Sequence, residues 1–123
     1  MVKDFTDLLV WQKAHSMVVM IYQLVSNFPK FEQYGLSDQM RRSAVSVTSN
    51  IAEGFGRQTA KEKGQYYYLA KGSLTELRNQ LYVARDVGYV TLTEVNKILI
   101  IMEEVYKMLF GLIKTTKLSI PTS

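Results

Sequence analysis

Four stretches of this chain repeat apolar residues at alternating spacings of three and four, and the segments between them are short. The first stretch carries Trp11, Ala14, Val18, Ile21, Val25 and Phe28, and the second Met40, Ala44, Val47 and Ile51. The third carries Tyr67, Ala70, Leu74, Leu77, Leu81 and Ala84, and the fourth Leu92, Val95, Leu99, Met102, Tyr106, Leu109 and Ile113. That rhythm gathers each set on one stripe of an α-helix, and a stripe needs another stripe to bury it. Short links make consecutive helices antiparallel. The expectation is an all-α, antiparallel up-down-up-down four-helix bundle with coiled-coil-like packing. A length of 123 residues suits one domain with one core.

Cap chemistry sets the expected ends at about residues 6–26, 37–53, 59–87 and 91–115, with residues 116–123 as a loose tail. Thr6 is the expected N-cap of the first helix, with Phe5 and Val10 spaced as a hydrophobic staple. Ser37 is the expected cap of the second, backed by Asp38 at the positive helix end. Thr59 with Glu62, and Thr91 with Glu94, form capping boxes. Gly54 is expected to close the second helix in a left-handed turn, and Gly88 to stop the third. Ser43, Ser46, Ser49 and Ala52 make the second helix rich in small side chains, which permits close approach by its neighbours.

Few catalytic schemes survive inspection. The chain has no cysteine, which removes disulfides, thiolate chemistry and cysteine-bound zinc and suits a reducing compartment. His15 is its one histidine and falls on a polar face; no Glu-x-x-His pair accompanies it, so no metal is expected. Glu53, Glu103 and Glu104 have no clustered carboxylates around them in sequence, and solvated or capping roles suit them better than a cation site. Phosphate-binding glycine loops and a nucleophile elbow are absent, and Gly54-Phe55-Gly56 reads as a turn. The reading is of a protein that is not an enzyme and takes no cofactor. The acidic N-terminus does not look like a signal peptide, and no apolar run approaches the ~18 residues of a membrane span, so a soluble cytoplasmic protein with no membrane association is expected.

The surface is more informative. Fifteen Lys and Arg against eleven Asp and Glu give a net charge of +4, which suits an acidic partner such as nucleic acid but also serves solubility. On the third helix Tyr68, Lys71, Thr75, Arg78, Tyr82 and Arg85 keep a three-four spacing, which we place opposite the leucine line. Lys71, Arg78 and Arg85 can track phosphates while Tyr68 and Tyr82 stack on unpaired bases. Arg41, Arg42 and Arg57 add charge near one end and are secondary candidates. An equally weighted reading has the stripe as a solvated face or a partner for a neighbour's acids. On the second helix Asn50, Glu53 and Gly54, with Arg57, read as a fixed corner in which Glu53 bonds Arg57, Arg42 or turn amides. Val19 and Tyr22 on the first helix, and Ile100 and Phe110 on the fourth, exceed what a monomer must bury and point to a subunit interface.

Three blocks of the chain resemble a known family. Leu9-Val10-Trp11-Gln12-Lys13-Ala14 resembles the opening of the four-helix-bundle proteins encoded within intervening sequences of bacterial 23S ribosomal RNA genes. Ser49-Asn50-Ile51-Ala52-Glu53-Gly54-Phe55-Gly56-Arg57 resembles their signature turn, and Ala70-Lys71-Gly72-Ser73-Leu74-Thr75-Glu76-Leu77 their third-helix motif. The blocks occur in the family's order, and the resemblance runs from about Phe5 to Ile113. Thr48 departs from it, standing where many relatives carry proline. The resemblance implies a bundle that assembles into a ring, a pentamer, with no established catalytic activity. The family is similar to accessory proteins of diversity-generating retroelements, whose basic barrels engage nucleic acid and a reverse transcriptase. Together these observations give a non-enzymatic homo-oligomeric bundle that binds RNA or DNA through a basic face; the alternative is a scaffold whose basic face meets an acidic protein.

Overall fold

The computed structural model describes residues 1–118 and shows four helices: α1 (Leu9–Val25), α2 (Leu36–Phe55), α3 (Ala60–Asp86) and α4 (Leu92–Leu118). Each packs on its two neighbours around a square, α1 on α2, α2 on α3, α3 on α4 and α4 on α1. Cross-helix pairs give the directions. Ser46 meets Ser73 while the later Gly54 meets the earlier Tyr67, so α2 and α3 are antiparallel. Lys13 pairs with Glu104 at 2.6 Å, whereas Leu24 shares a groove with the earlier Glu94 and Ile98, so α1 and α4 are antiparallel too. The expected up-down-up-down bundle is the observed fold.

The core follows the stripes closely on three helices. Met40, Ala44, Val47 and Ile51 of α2 are fully buried, as are Ala70, Leu77, Leu81 and Ala84 of α3, with Tyr67 and Leu74 nearly so. On α1 the stripe widens to include Met17 and Leu24, and Trp11 is only partly buried. On α4 the expected register needs correction. Leu92 opens the helix and is 70% exposed, while Ile98 and Val105 are buried; Leu99 and Tyr106 move to the edge of the core. Each step of one residue turns the helix by about 100°, and α4 meets two neighbours, so its buried face is broader than one seam.

The two capping boxes form as expected. Thr59 Oγ1 accepts the Glu62 N–H at 3.1 Å, and Thr91 Oγ1 accepts the Glu94 N–H at 3.1 Å. The other two starts differ. Thr6 does not cap α1; it lies in a 3-10 turn over Phe5–Asp7 and donates its hydroxyl to Asp4. Asp7 organises this turn by accepting the backbone N–H groups of Lys3 and Asp4 at 2.9 and 3.0 Å, which hold its carboxyl below the usual range. Phe5 lies edge-on to Trp11, with ring centroids 5.4 Å apart. Ser37 likewise is a buried residue within α2, whose start is Gly35; there Glu32 takes the Leu36 N–H at 3.1 Å. The other oxygen of Glu32 accepts the Tyr89 hydroxyl at 2.8 Å, fastening the α1–α2 link to the α3–α4 link at one end of the bundle.

Gly54 is the third correction. It does not end α2 in a left-handed turn but lies buried inside the helix, which continues to Phe55. A Cβ there would sit 2.5 Å from Cε1 of Tyr67 and 3.1 Å from Cβ of Tyr66, so the glycine is required by the approach of α3. Gly88, at φ 86°, is the left-handed stop after α3. Thr48 lies within α2, its hydroxyl donating to the Val45 carbonyl at 3.0 Å. At the C-terminus, residues 116–118 belong to α4 rather than to a loose tail; Thr116 is buried and faces Gly64 of α3. The remainder of the expected tail, residues 119–123, lies outside the described residues.

These contacts separate two helical glycines. Gly54→Ala should destabilise the fold by ~1–3 kcal/mol, because the buried Tyr67 ring must move. Gly72→Ala, whose Cβ meets nothing within 4 Å, should stabilise it by ~0.5–1 kcal/mol through helix propensity. Urea unfolding of both variants checks the signs.

Candidate nucleic-acid interface

Tyr68, Lys71, Thr75, Arg78, Tyr82 and Arg85 each follow a core residue of α3 by one position, or nearly so, and therefore lie to one side of the buried line. The stripe is not opposite the leucines, as expected from the sequence, but flanks them on the side of α4. Lys71, Tyr82 and Arg85 are half-buried as a result, while Tyr68, Thr75 and Arg78 are exposed. Between the helices runs a groove of about 160 Å³. Its α3 wall is Leu74, Thr75, Arg78 and Tyr82, and its α4 wall is Leu99, Met102, Glu103 and Tyr106.

Cations and aromatic rings alternate along this flank. Lys71 Nζ lies 5.8 Å from the Tyr68 ring centre and 5.6 Å from that of Tyr106. Lys117 Nζ lies 5.3 Å from Tyr68 on another approach, so this ring has two lysines beside it. At the far end the Arg85 guanidinium lies 4.7 Å from the Tyr82 ring centre. These distances fall in the range where a ring face attracts a cation. Lys71, Arg78 and Lys117 have no ion-pair partner among the described residues. Arg85 does have one: its Nε and Nη2 donate to the two oxygens of Asp86 at 2.8 and 3.3 Å, which holds the Asp86 carboxyl below its usual pKa.

The secondary cations are engaged in local structure. Arg42 Nε donates to Asp38 at 3.0 Å, and Arg41 reaches both the Gln33 carbonyl, at 3.2 Å, and Asp38, at 3.8 Å. Arg57 Nη2 donates to Glu53 at 3.0 Å and to the Tyr66 hydroxyl at 2.8 Å, with its guanidinium over the Tyr66 ring. Lys63 donates to the Phe55 carbonyl at 2.7 Å, closing the C-terminal end of α2. The expected α2–α3 corner therefore exists, with Arg57 as the partner of Glu53. Glu53 itself is exposed, and Asn50 belongs to a separate link. Its amide donates to the Ser46 carbonyl and hydroxyl, and the Ser46 hydroxyl lies 2.8 Å from that of Ser73 on α3.

The remaining candidates are dispersed. His15 is exposed and stacks on Trp11, with ring centroids 4.7 Å apart. Glu104 pairs with Lys13, whereas Glu103 has no ion-pair partner among the described residues and lines the α3–α4 groove. No group of three metal-ligating side chains occurs among the described residues. Val19 and Tyr22 are exposed on α1, and Tyr22 shares a groove with Val45 of α2. Ile100 is exposed on α4, and Phe110 lies one turn beyond Tyr106 with Lys114 over its ring. Sequence reasoning missed Lys117, which it assigned to the tail, and Tyr106, which it assigned wholly to the core; continuing the α4 rhythm one more step gives the buried Thr116, with Lys117 one position beyond it.

Residues 6–111 match the family model described as 23S rRNA-intervening sequence protein. No curated protein matches the chain. Among solved structures, the chain is similar to a protein of unknown function from the S23 ribosomal protein family of Bacteroides thetaiotaomicron. The TM-score is 0.78 at 24% identity, over 86% of this chain and 99% of that one, a likeness of fold.

The geometry distinguishes structural from open cations. Arg57→Ala should cost ~1–2 kcal/mol through loss of its bonds to Glu53 and Tyr66. Lys71→Ala should change stability by less than ~0.5 kcal/mol. Parallel denaturation curves test the distinction.

Proposed function

The chain belongs to the 23S rRNA-intervening sequence protein family, and from that premise we propose that it is a non-enzymatic, homo-oligomeric bundle that binds RNA or DNA through its α3–α4 face. One observation carries the reading: among the described residues Lys71, Arg78 and Lys117 have no ion-pair partner along a flank shared with Tyr68, Tyr82 and Tyr106, while Arg41, Arg42 and Arg57 are held by local partners. Open cations release counterions on meeting phosphate, which drives binding without reading sequence. Tyr68, 45% exposed, offers a ring to an unpaired base, with Lys71 and Lys117 placed to take the adjoining phosphates. Arg85 contributes by exchanging Asp86 for a phosphate at the surface.

Each subunit supplies few such cations, so several subunits must act together. The exposed Tyr22 lies toward α2 whereas Ile100 and Phe110 lie on α4, and this separation supports a head-to-tail contact better than a two-fold one. In a ring each subunit meets its two neighbours through different surfaces. The proposed assembly is a pentamer. A cytoplasmic location suits a chain without cysteine, and no described helix is long and apolar enough to cross a membrane.

Light scattering at micromolar concentration should give a mass several times the 14.1 kDa of one chain. A strict monomer would remove the ring, and a dimer would reject the pentamer. In gel shifts, wild-type protein should bind a single-stranded oligonucleotide with affinity that falls steeply as salt rises. Replacing Lys71, Arg78 and Lys117 together with Glu should abolish the shift while leaving helicity and mass unchanged. Binding that survives the replacement would exclude this face. No shift at low salt, with capture of an acidic protein that the same replacement releases, would establish the scaffold reading instead.

A further inference from the structure

The α3–α4 groove carries a feature that phosphate binding does not use. Glu103 lies on its α4 wall, facing the same space as Arg78 on α3, yet neither side chain is within ion-pair distance of the other or of any other described residue. A carboxylate in the middle of a phosphate-contacting face repels the backbone it should attract, unless the ligand brings donors to it. The base of the groove is apolar, because Leu74 and Met102 are core residues. Tyr82 and Tyr106 form aromatic walls, each with a cation over its ring: Arg85 on Tyr82 and Lys71 on Tyr106. At about 160 Å³ the space is well below the ~300–1,000 Å³ of pockets that enclose a drug-sized molecule, so it suits one planar base entering from an extended strand.

Resting on the nucleic-acid reading above, we infer that this groove is a base pocket selective for guanine, with Glu103 reading the base and Arg78 holding the phosphate of the same nucleotide. The selection follows from donor pattern. Guanine presents N1–H and N2–H side by side, two parallel donors that match the two oxygens of one carboxylate. Adenine offers only its amino group beside an acceptor, and cytosine does the same. Uracil has one N–H between two carbonyls, which a carboxylate repels. Unpaired bases expose this edge and duplexes do not, so the pocket also favours single strands. The apolar floor and tyrosine walls supply affinity for any base; Glu103 supplies the preference.

The test compares three RNA heptamers of uridine with guanosine, inosine or adenosine at the centre, measured by fluorescence anisotropy at low salt with the full-length protein. The expected order is guanosine tightest, by roughly five- to tenfold over adenosine, with inosine between because it lacks the N2 amino group. Glu103→Leu, close in size, without hydrogen-bonding groups and at an exposed position, should bring the three within about twofold while circular dichroism and mass stay unchanged. Equal binding of the three heptamers by wild type would overturn the pocket and leave the nucleic-acid reading intact. A guanosine preference that persists in Glu103→Leu would also overturn it. Failure to bind any heptamer would overturn both.

Discussion

The close approach of α2 and α3 is the constraint on which the rest of the bundle depends. Tyr67 occupies the space where Gly54 lacks a side chain, and Ser46 and Ser73 touch through their hydroxyls about two turns further along. Lys63 and Arg57 close the same pair at its connecting turn. A helix held at so many points cannot rotate about its axis. With α3 fixed in this way, the residues one position beyond its core line must face α4, and the basic and aromatic flank becomes the wall of a groove. Small side chains make this possible, because packed helices settle their separation by what stands between them.

That geometry divides the positive charges into two kinds. Those near the α2–α3 turn and at the start of α2 bond carbonyls, carboxylates and a tyrosine hydroxyl, and they are part of the architecture. Those along the α3–α4 flank, Arg85 with its bonds to Asp86 apart, face rings or open space. A ring face attracts a lysine without neutralising it, so the charge remains available to a ligand. Net charge alone could not draw the distinction, because both kinds count equally toward the excess of four. The proposed function rests on the second kind only.

The sequence by itself determined the fold class, the helix count, two of the four helix starts and most of the core, because a repeat of three and four residues leaves an α-helix one way to bury its apolar face. The capping boxes at Thr59 and Thr91 were legible because their partners lie three residues away. The tertiary structure decided whatever depends on partners distant in sequence. Glu32 took over the start of α2 and reached Tyr89, 57 positions on; Gly54 served a ring on the next helix rather than a turn. It also decided the candidate site. Arg78 and Glu103 come from different helices, and Lys117 reaches Tyr68 only because α3 and α4 run antiparallel for their whole shared length. Periodicity states which residues share a face of one helix. Which face meets which neighbour is set by the rotation of each helix within the packed bundle, and no single stripe contains that angle.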